Sequence, residues 1–232
     1  MTRSAGRTPT RQLRLELRRP LTQSRETFVV GPTNADALSQ LDAWPAWHGG
    51  ALALVGPAGC GKSHLAGIWA ARTQALELDR TAPDLRGAAG RPVLVENADQ
   101  AFDDEALFHL INLAAREGGG LLLTARTPPA TWRCDLPDLR SRLNAMPTAI
   151  IEKPDDRVLE GVLRRFFEER SIRPADDLLA YLLARMERSV DAARDIVQRL
   201  DEAGDDGQRP ITRVLARQIL EDGAENLDLF DG

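Results

Sequence analysis

Residues 51–64 of the chain read ALALVGPAGCGKSH, and this stretch decides the fold. A short apolar run, Ala51 to Val55, ends at Gly56, and the segment from Gly56 to Ser63 matches the pattern G-x-x-x-x-G-K-S. Glycines let backbone N–H groups close around phosphate oxygens, and the N-terminus of a following helix adds unpaired N–H donors and the positive end of its dipole. The stretch therefore predicts a strand, a phosphate-binding loop and a helix in succession.

The side chains of this loop predict a bound nucleotide with its magnesium ion. We expect Lys62 to reach the β- and γ-phosphates and Ser63 to be a Mg²⁺ ligand. The alternative is a chance match, in which the glycines form only a structural turn. The residues of the loop that are expected to contact ADP or ATP are Gly56, Pro57, Gly59, Cys60, Gly61, Lys62, Ser63 and His64.

Short apolar runs recur along the chain before Pro154 and alternate with helical patterns. Runs of this kind, bounded by turn-forming residues, are typical of strands that are buried on both faces of a parallel sheet. Alternation of strands and helices is the signature of an α/β fold. Together with 51–55, the predicted strands are 76–78, 93–95, 121–124 and 148–151, which gives a five-stranded parallel sheet.

From Pro154 onward the pattern becomes purely helical. Apolar residues repeat at three- and four-residue spacings in successive stretches, the first of them behind a helix cap at Asp155 or Asp156. The arginines near the N-terminus fit a transit peptide, but the near absence of apolar residues there favours a disordered tail. We therefore expect a disordered tail at 1–24, a P-loop core at 25–154, an all-α lid at 155–223 and a C-terminal tail at 224–232.

Composition limits the functions that fit. The net charge is -5 and the pI is about 5.3, which argues against a protein that mainly grips nucleic acid. Two cysteines without metal-ligand spacing indicate a reducing cytoplasm rather than a disulfide framework. No apolar run approaches the roughly 18 residues that would predict a membrane span.

A second acidic site is expected where a later apolar strand ends. Glu96 follows the run 93–95 and stands where a carboxylate would help to hold Mg²⁺. Asn97 stands where many ATPases keep a second acid, and because an amide cannot act as a base, feeble intrinsic hydrolysis is predicted. The alternatives are a solvated strand end for Glu96 and a helix cap for Asp99.

Three segments resemble the bacterial replication initiator DnaA. Phe28–Asn34 is similar to the segment that lines its adenine pocket, Leu123–Pro129 resembles its fourth strand and following turn, and Leu139–Leu143 resembles the box of its arginine finger. The resemblance runs from about 26 to 222 and implies an AAA+ core with a helical lid, with Val30 at the adenine. The helix-turn-helix DNA-binding domain and the long N-terminal domain of that initiator have no counterpart in the sequence.

A DnaA-like core without those domains is the layout of the Hda family, which makes the initiator hydrolyse its ATP. The segment Gln12–Leu17 is similar to the peptide by which that family docks on the sliding clamp, the β subunit of DNA polymerase III. Gln12 would meet a polar rim, and Leu13, Leu15 and Leu17 would enter an apolar pocket. Alternating leucines also suit an amphipathic edge strand. Asn226–Phe230 resembles a shorter clamp peptide and also fits an exposed tail.

The resemblance implies that Arg142 is an arginine finger that acts in trans on the ATP of a neighbouring DnaA. A finger of this kind is typically worth ~10³ to 10⁵ in rate. The alternative is a surface arginine that caps a helix or pairs with Asp138.

Two positions depart from the family pattern. Asp191 stands in place of a nucleotide-sensing arginine, for which Arg194 could substitute from one turn away. Arg126 replaces a polar sensor after the fourth strand. These departures leave the preference for ADP or ATP open, because an acid near phosphates would repel them.

The sequence thus predicts a nucleotide-binding adaptor that docks on the DNA-loaded clamp, stimulates ATP hydrolysis by DnaA and meets DNA only through the clamp. The alternative is an autonomous AAA+ ATPase of the helicase-loader type, in which Lys62, Ser63 and Glu96 serve its own hydrolysis. A tether at a membrane or an origin is disfavoured because the basic tail is short. The expected location is the cytoplasm, near the nucleoid and replisome, and a homo-oligomer is left open.

Overall fold

The structure is a computed structural model that describes residues 24–228, except 82, 101, 118 and 205–209 and the side chains of 117 and 222–228. Its described strands form one parallel sheet in the order β2-β3-β4-β1-β5. The strands are β1 (Ala51–Val55), β2 (Leu76–Leu78), β3 (Val93–Val95), β4 (Leu121–Ala125) and β5 (Thr148–Ile150). The predicted α/β fold with a five-stranded parallel sheet is confirmed.

Helices precede, connect and follow these strands. They are α1 (Ala35–Asp42), α2 (Lys62–Thr73), α3 (Asp104–Glu117), α4 (Pro137–Ala145), α5 (Asp156–Glu169), α6 (Asp176–Leu183), α7 (Val190–Ala203) and α8 (Arg213–Asp228). The sequence pattern did not predict α1 and α4. The reason is visible in α4, which is short and buries only Leu139 and Leu143, too few residues to establish a helical period.

The sheet separates two apolar layers. All five residues of β1 are buried, and alternate residues face opposite sides because successive strand side chains point in opposite directions. Ala51, Ala53 and Val55 pack in the cluster that contains α3 and α4. Leu52 and Leu54 pack in the cluster that contains α1 and α2. Burial on both faces explains why the strand is a continuous apolar run.

A tryptophan cluster fixes α2, the helix that begins at the phosphate loop. The Trp69 ring on α2 is fully buried, stacks on Trp47 with ring centroids 5.3 Å apart and meets Trp44 edge to face at 6.1 Å. The indole N–H groups of Trp44 and Trp47 donate to the carbonyls of Gly119 and Gln40. Large aromatic side chains bury much apolar area, so this cluster packs α2 against the segment that follows α1.

Helices α5 to α8 share a separate apolar core. Asp155 caps α5, because its side chain accepts a hydrogen bond from the Val158 N–H. The helices bury one face each, with Phe167, Leu182 and Leu200 among the fully buried side chains. The expected division of the chain at 154 and 155 stays a prediction. Within the part of the chain that the structure describes, no helix is long and apolar enough to cross a membrane.

Candidate nucleotide-binding site

The sheet topology brings the predicted phosphate loop and the predicted acid together. Strand β4 lies between β1 and β3, and parallel strands end at the same edge of a sheet. The loop Gly56–Ser63 follows β1, and Glu96 follows β3. Thr124 lies on β4, opposite Leu54 of β1. Ligands of open α/β sheets bind at this carboxyl edge.

Two glycines of the loop are required by close backbone approaches. A Cβ atom on Gly56 would collide with the carbonyl oxygen of Ile151. Gly59 has a φ of 66°, and a Cβ atom there would lie 2.6 Å from the Cβ of Ser189. The carbonyl of Gly59 accepts the Val190 N–H at 2.7 Å, so the loop contacts the N-terminus of α7 directly.

Lys62 is buried at the base of the loop. Its ammonium Nζ donates to the carbonyls of Gly56 and Pro57, both at 2.8 Å, and lies 3.9 Å from the Cys60 sulfur. An ammonium carries three N–H donors. Two are therefore used to fix the side chain inside the loop, and the third faces only a weak acceptor.

Cys60 is a packed thiol within the same loop. Burial raises the pKa of the Cys60 thiol, which outweighs the opposite effect of the Lys62 charge. The thiol therefore stays protonated near neutral pH, and both cysteines of the chain are free.

Ser63 and Glu96 meet at the start of α2. The Ser63 hydroxyl lies 3.2 Å from Glu96 Oε2, and the Thr124 hydroxyl lies 2.5 Å from the same oxygen. Sequence reasoning placed Ser63 and Glu96 but missed Thr124. The signal for Thr124 was a single hydroxyl at the end of a run of leucines.

The residues after Glu96 connect the ends of β3 and β4. Asn97 is left-handed, with a φ of 53°. Asp99 accepts the N–H of Arg126 at 2.8 Å and the N–H of Thr127 at 3.3 Å. The Asp99 carboxylate thus caps the turn after β4 rather than a helix, and the Arg126 side chain is exposed.

The segment before α1 presents an unpaired pair of backbone groups. The Asn34 side chain donates to the Val29 carbonyl and accepts the Gly31 N–H, both at 2.9 Å. Val30 between them is 42% exposed, and its N–H and C=O have no partner among the described residues. Asn34 therefore fixes the backbone on both sides of Val30, which keeps one donor and one acceptor without a partner among the described residues.

His64 anchors this segment to α2. Its Nε2 lies 3.0 Å from the Thr27 hydroxyl, and its ring meets Phe28 edge to face. Burial lowers the pKa of His64, and the positive charges of Arg165 and Arg194 lower it further. The imidazole is therefore neutral at pH 7 and acts as a packed, hydrogen-bonding ring.

Helix α7 carries one acidic and one basic residue, Asp191 and Arg194, near the phosphate loop and His64. Asp191 Oδ2 lies 3.3 Å from the position that a Cβ atom of Gly59 would take. Arg194 is exposed, its guanidinium lies 5.4 Å from the centre of the Phe166 ring, and its charge reaches His64. The acid is thus beside the phosphate loop, and the arginine is close enough to His64 to lower its pKa.

Arg142 belongs to a different surface. It is exposed on α4 and lines an open groove with Phe108, Asp138, Ser141 and Ala145. Among the described residues, no acidic group lies within 4.0 Å of its guanidinium, so the alternative pairing with Asp138 is absent from the structure. The predicted clamp peptide, Gln12 to Leu17, lies outside the described residues, as do the side chains of Asn226–Phe230.

Comparisons with known proteins find relatives by sequence and by structure. No protein-family model matches the chain. The chromosomal replication initiator DnaA of Caulobacter vibrioides is 27% identical over 248 residues, which cover 89% of this chain and 50% of that protein. The chain therefore spans about half the length of the curated relatives it matches.

Solved structures share the fold at lower identity. Domain III of Thermotoga maritima DnaA aligns with a TM-score of 0.71 and 17% identity, covering 86% of this chain and 96% of that one. AMPPCP-bound DnaA of Aquifex aeolicus gives 0.64 and 14%, covering 80% and 66%. The RuvB branch migration motor of Thermotoga maritima gives 0.65 and 18%, covering 86% and 71%.

The strand order, the glycine-rich loop after β1 and the helices after β5 define a P-loop core of the AAA+ class. Within that class, the chain is similar in sequence to the initiator DnaA.

Proposed function

We propose that the chain is a nucleotide-binding regulatory adaptor of the Hda type, which stimulates ATP hydrolysis by DnaA on the sliding clamp. Nucleotide binding is the first part of the proposal. The N–H and C=O of Val30, which have no partner among the described residues, match the acceptor N1 and the donor amino group of adenine. Guanine presents the opposite pattern at these positions, so this backbone pair favours ADP or ATP.

The loop supplies the phosphate contacts. Lys62 is held by two backbone carbonyls and keeps one N–H donor for a phosphate oxygen. The backbone N–H groups at the start of α2 add donors and the positive end of the helix dipole. A fixed cation and fixed donors bind a diphosphate or triphosphate without reorganising the loop.

The donor set beside Lys62 fits Mg²⁺. Ser63 Oγ and Glu96 Oε2 are 3.2 Å apart, and both are oxygens, which Mg²⁺ prefers. Mg²⁺ usually takes one or two protein oxygens and completes its shell with phosphates and water, where it neutralises phosphate charge. Among the described residues no three acidic, histidine or cysteine side chains gather to hold a metal ion alone.

Intrinsic hydrolysis is proposed to be weak. Asn97 occupies the position of a second acid, and its amide cannot accept a proton from water. The role that remains for the bound nucleotide is to hold the chain in its active arrangement.

The activating group is Arg142, and its placement is the observation that carries the proposal. The side chain is exposed, has no acidic partner among the described residues and lies on α4, in a groove that no residue of the phosphate loop lines. An arginine that is always charged and unpaired is available to a γ-phosphate of another protein. We propose that it neutralises charge developing on the ATP of DnaA.

Docking on the clamp is assigned to Gln12, Leu13, Leu15 and Leu17. A peptide site ahead of the AAA+ core would hold the adaptor at DNA that carries a clamp, so DNA is met indirectly. Tethering raises the effective concentration of the arginine finger near DnaA without any new contact.

The test is phosphate release from DnaA that has been preloaded with labelled ATP, with and without clamp loaded on DNA. Wild-type chain is expected to accelerate release only with the clamp. Arg142→Ala is expected to lower the stimulated rate by about 10³-fold. Arg116 is an exposed arginine on a different helix, α3, so Arg116→Ala is the matched control and is expected to stimulate phosphate release normally.

Two results would contradict this function. Equal stimulation of DnaA by the wild type and by Arg142→Ala would exclude Arg142 as the arginine finger. Phosphate release that comes from the chain's own nucleotide and needs no DnaA would favour the autonomous AAA+ ATPase instead.

A further inference from the structure

Thr124 is a polar side chain in an apolar strand. It is 0% exposed, and its neighbours along β4 are leucines and an alanine. A buried hydroxyl without a hydrogen bond is costly, so a hydroxyl at this position needs partners. The partners therefore show what the residue does.

The hydroxyl and the carbonyl of Thr124 both form hydrogen bonds with residues at the end of β3. Its hydroxyl accepts the Asn97 N–H at 2.9 Å and its carbonyl accepts the Ala98 N–H at 2.8 Å. The same hydroxyl lies 2.5 Å from Glu96 Oε2. A hydroxyl has one hydrogen, and an amide N–H can only donate. The hydroxyl hydrogen is therefore directed to the Glu96 carboxylate.

We propose that Thr124 is a positioning residue that holds the Glu96 carboxylate beside Ser63, so that a magnesium–nucleotide complex meets two oxygens already in place. The inference rests on the proposed roles of Ser63 and Glu96. A glutamate has several rotatable bonds, and fixing them before the ligand arrives lowers the entropy cost of binding. The left-handed Asn97 backbone, held by the same hydroxyl, fixes the direction in which Glu96 leaves the strand.

The test compares dissociation constants for ADP and ATP measured with Mg²⁺ and with EDTA. For each variant we define the magnesium ratio as the dissociation constant in EDTA divided by the dissociation constant with Mg²⁺. Loss of a partner that orients a metal ligand typically costs about 10- to 100-fold in metal affinity. Thr124→Val is therefore expected to lower the magnesium ratio about 10-fold, while Thr124→Ser, which keeps the hydroxyl, retains it.

Controls separate positioning from general damage. Thr124→Ala also removes the hydroxyl without adding a second methyl group, and its magnesium ratio is expected to fall as that of Thr124→Val does. The affinity in EDTA and the Tm without nucleotide report the state of the fold. A loss of affinity that is equal with and without magnesium would assign Thr124 a structural role and overturn the proposal.

Glu96→Gln distinguishes this inference from the site on which it depends. The magnesium ratio could fall in Glu96→Gln and stay unchanged in Thr124→Val and Thr124→Ala. That result would overturn the role of Thr124 and leave the proposed magnesium site in place. An unchanged magnesium ratio in Glu96→Gln would overturn the magnesium site itself, and the positioning role with it.

Discussion

Asp191 is the residue whose charge differs most from what the DnaA resemblance implies. The resemblance implies a nucleotide-sensing arginine there, and the structure places the carboxylate beside Gly59 in the phosphate loop. At the N-terminus of α7 an acid is favourable for the helix, because it interacts with the positive end of the dipole. The same charge opposes phosphates, so helix stability and phosphate affinity make conflicting demands on this position.

Removing the Asp191 charge is expected to strengthen nucleotide binding. Asp191→Asn should raise affinity for ATP on the order of 3- to 10-fold, and affinity for ADP less, because repulsion grows with phosphate charge. Equilibrium titration at low and high salt measures this, and the gain should shrink as salt screens the charge. Glu202→Gln removes an exposed acid near the end of the same helix and serves as control. Unchanged affinity in Asp191→Asn would show that the carboxylate does not face the phosphates.

Single residues differ in how well the sequence predicted them. Lys62 and Ser63 stand in a motif whose spacing fixes their chemistry, so their positions were predictable. Glu96 was predictable from its place after an apolar strand. Thr124 was not, because a lone threonine in a strand is an ordinary β residue until its partner on the next strand is known.

Among the secondary-structure elements, the contact of α7 with the phosphate loop couples the helical part to the site. The Val190 N–H donates to the Gly59 carbonyl, and Ser189 caps the helix through the Ala192 N–H. A glycine at 59 is needed for this approach. The contact joins the first turn of α7 to the loop that would hold phosphates.

Gly59→Ala is expected to break this contact. An alanine there carries the cost of a left-handed residue, about 1–2 kcal/mol, plus a collision with Ser189 of about 1–3 kcal/mol. Gly87→Ala is the matched control, since Gly87 has a φ of 80° and open space around its Cβ position. Chemical denaturation without nucleotide should show a larger loss in the free energy of unfolding for Gly59→Ala. Equal losses in the free energy of unfolding for the two variants would mean that the loop rearranges around the added methyl group without strain.

Strongly periodic elements were predicted and weakly periodic ones were not. Helix α5 buries Val158, Leu159, Val162 and further residues on one face, which a sequence pattern reveals. Helix α4 carries Arg142 but has little apolar periodicity, so its helical state follows from packing against the sheet layer. The candidate finger was therefore recognised by resemblance and not from its own pattern.

For the whole molecule, the proposal separates docking from catalysis. The proposed docking peptide lies outside the described residues, and the proposed finger and nucleotide site lie within them. The two should therefore be separable by mutation. A change in the peptide should leave the fold and the nucleotide affinity intact.

Gln12→Ala is expected to abolish clamp binding, because the variant lacks the amide that is proposed to meet the polar rim of the clamp pocket. Binding to the clamp on DNA can be measured by surface-based or pull-down titration, with Tm as a check on the fold. Gln23→Ala, another glutamine of the N-terminal segment, should bind normally. Clamp affinity retained by Gln12→Ala would exclude this peptide as the docking site.

The sequence by itself determined the fold class and predicted the phosphate loop and the acid after β3, because each is a local pattern with a fixed physical cause. Apolar runs predict strands, and glycine spacing predicts a loop whose backbone can approach phosphate. Only the tertiary structure decided what those residues meet. It placed Thr124 against Glu96 and Asp191 against Gly59, since these contacts join elements far apart in the chain whose arrangement depends on strand order and packing.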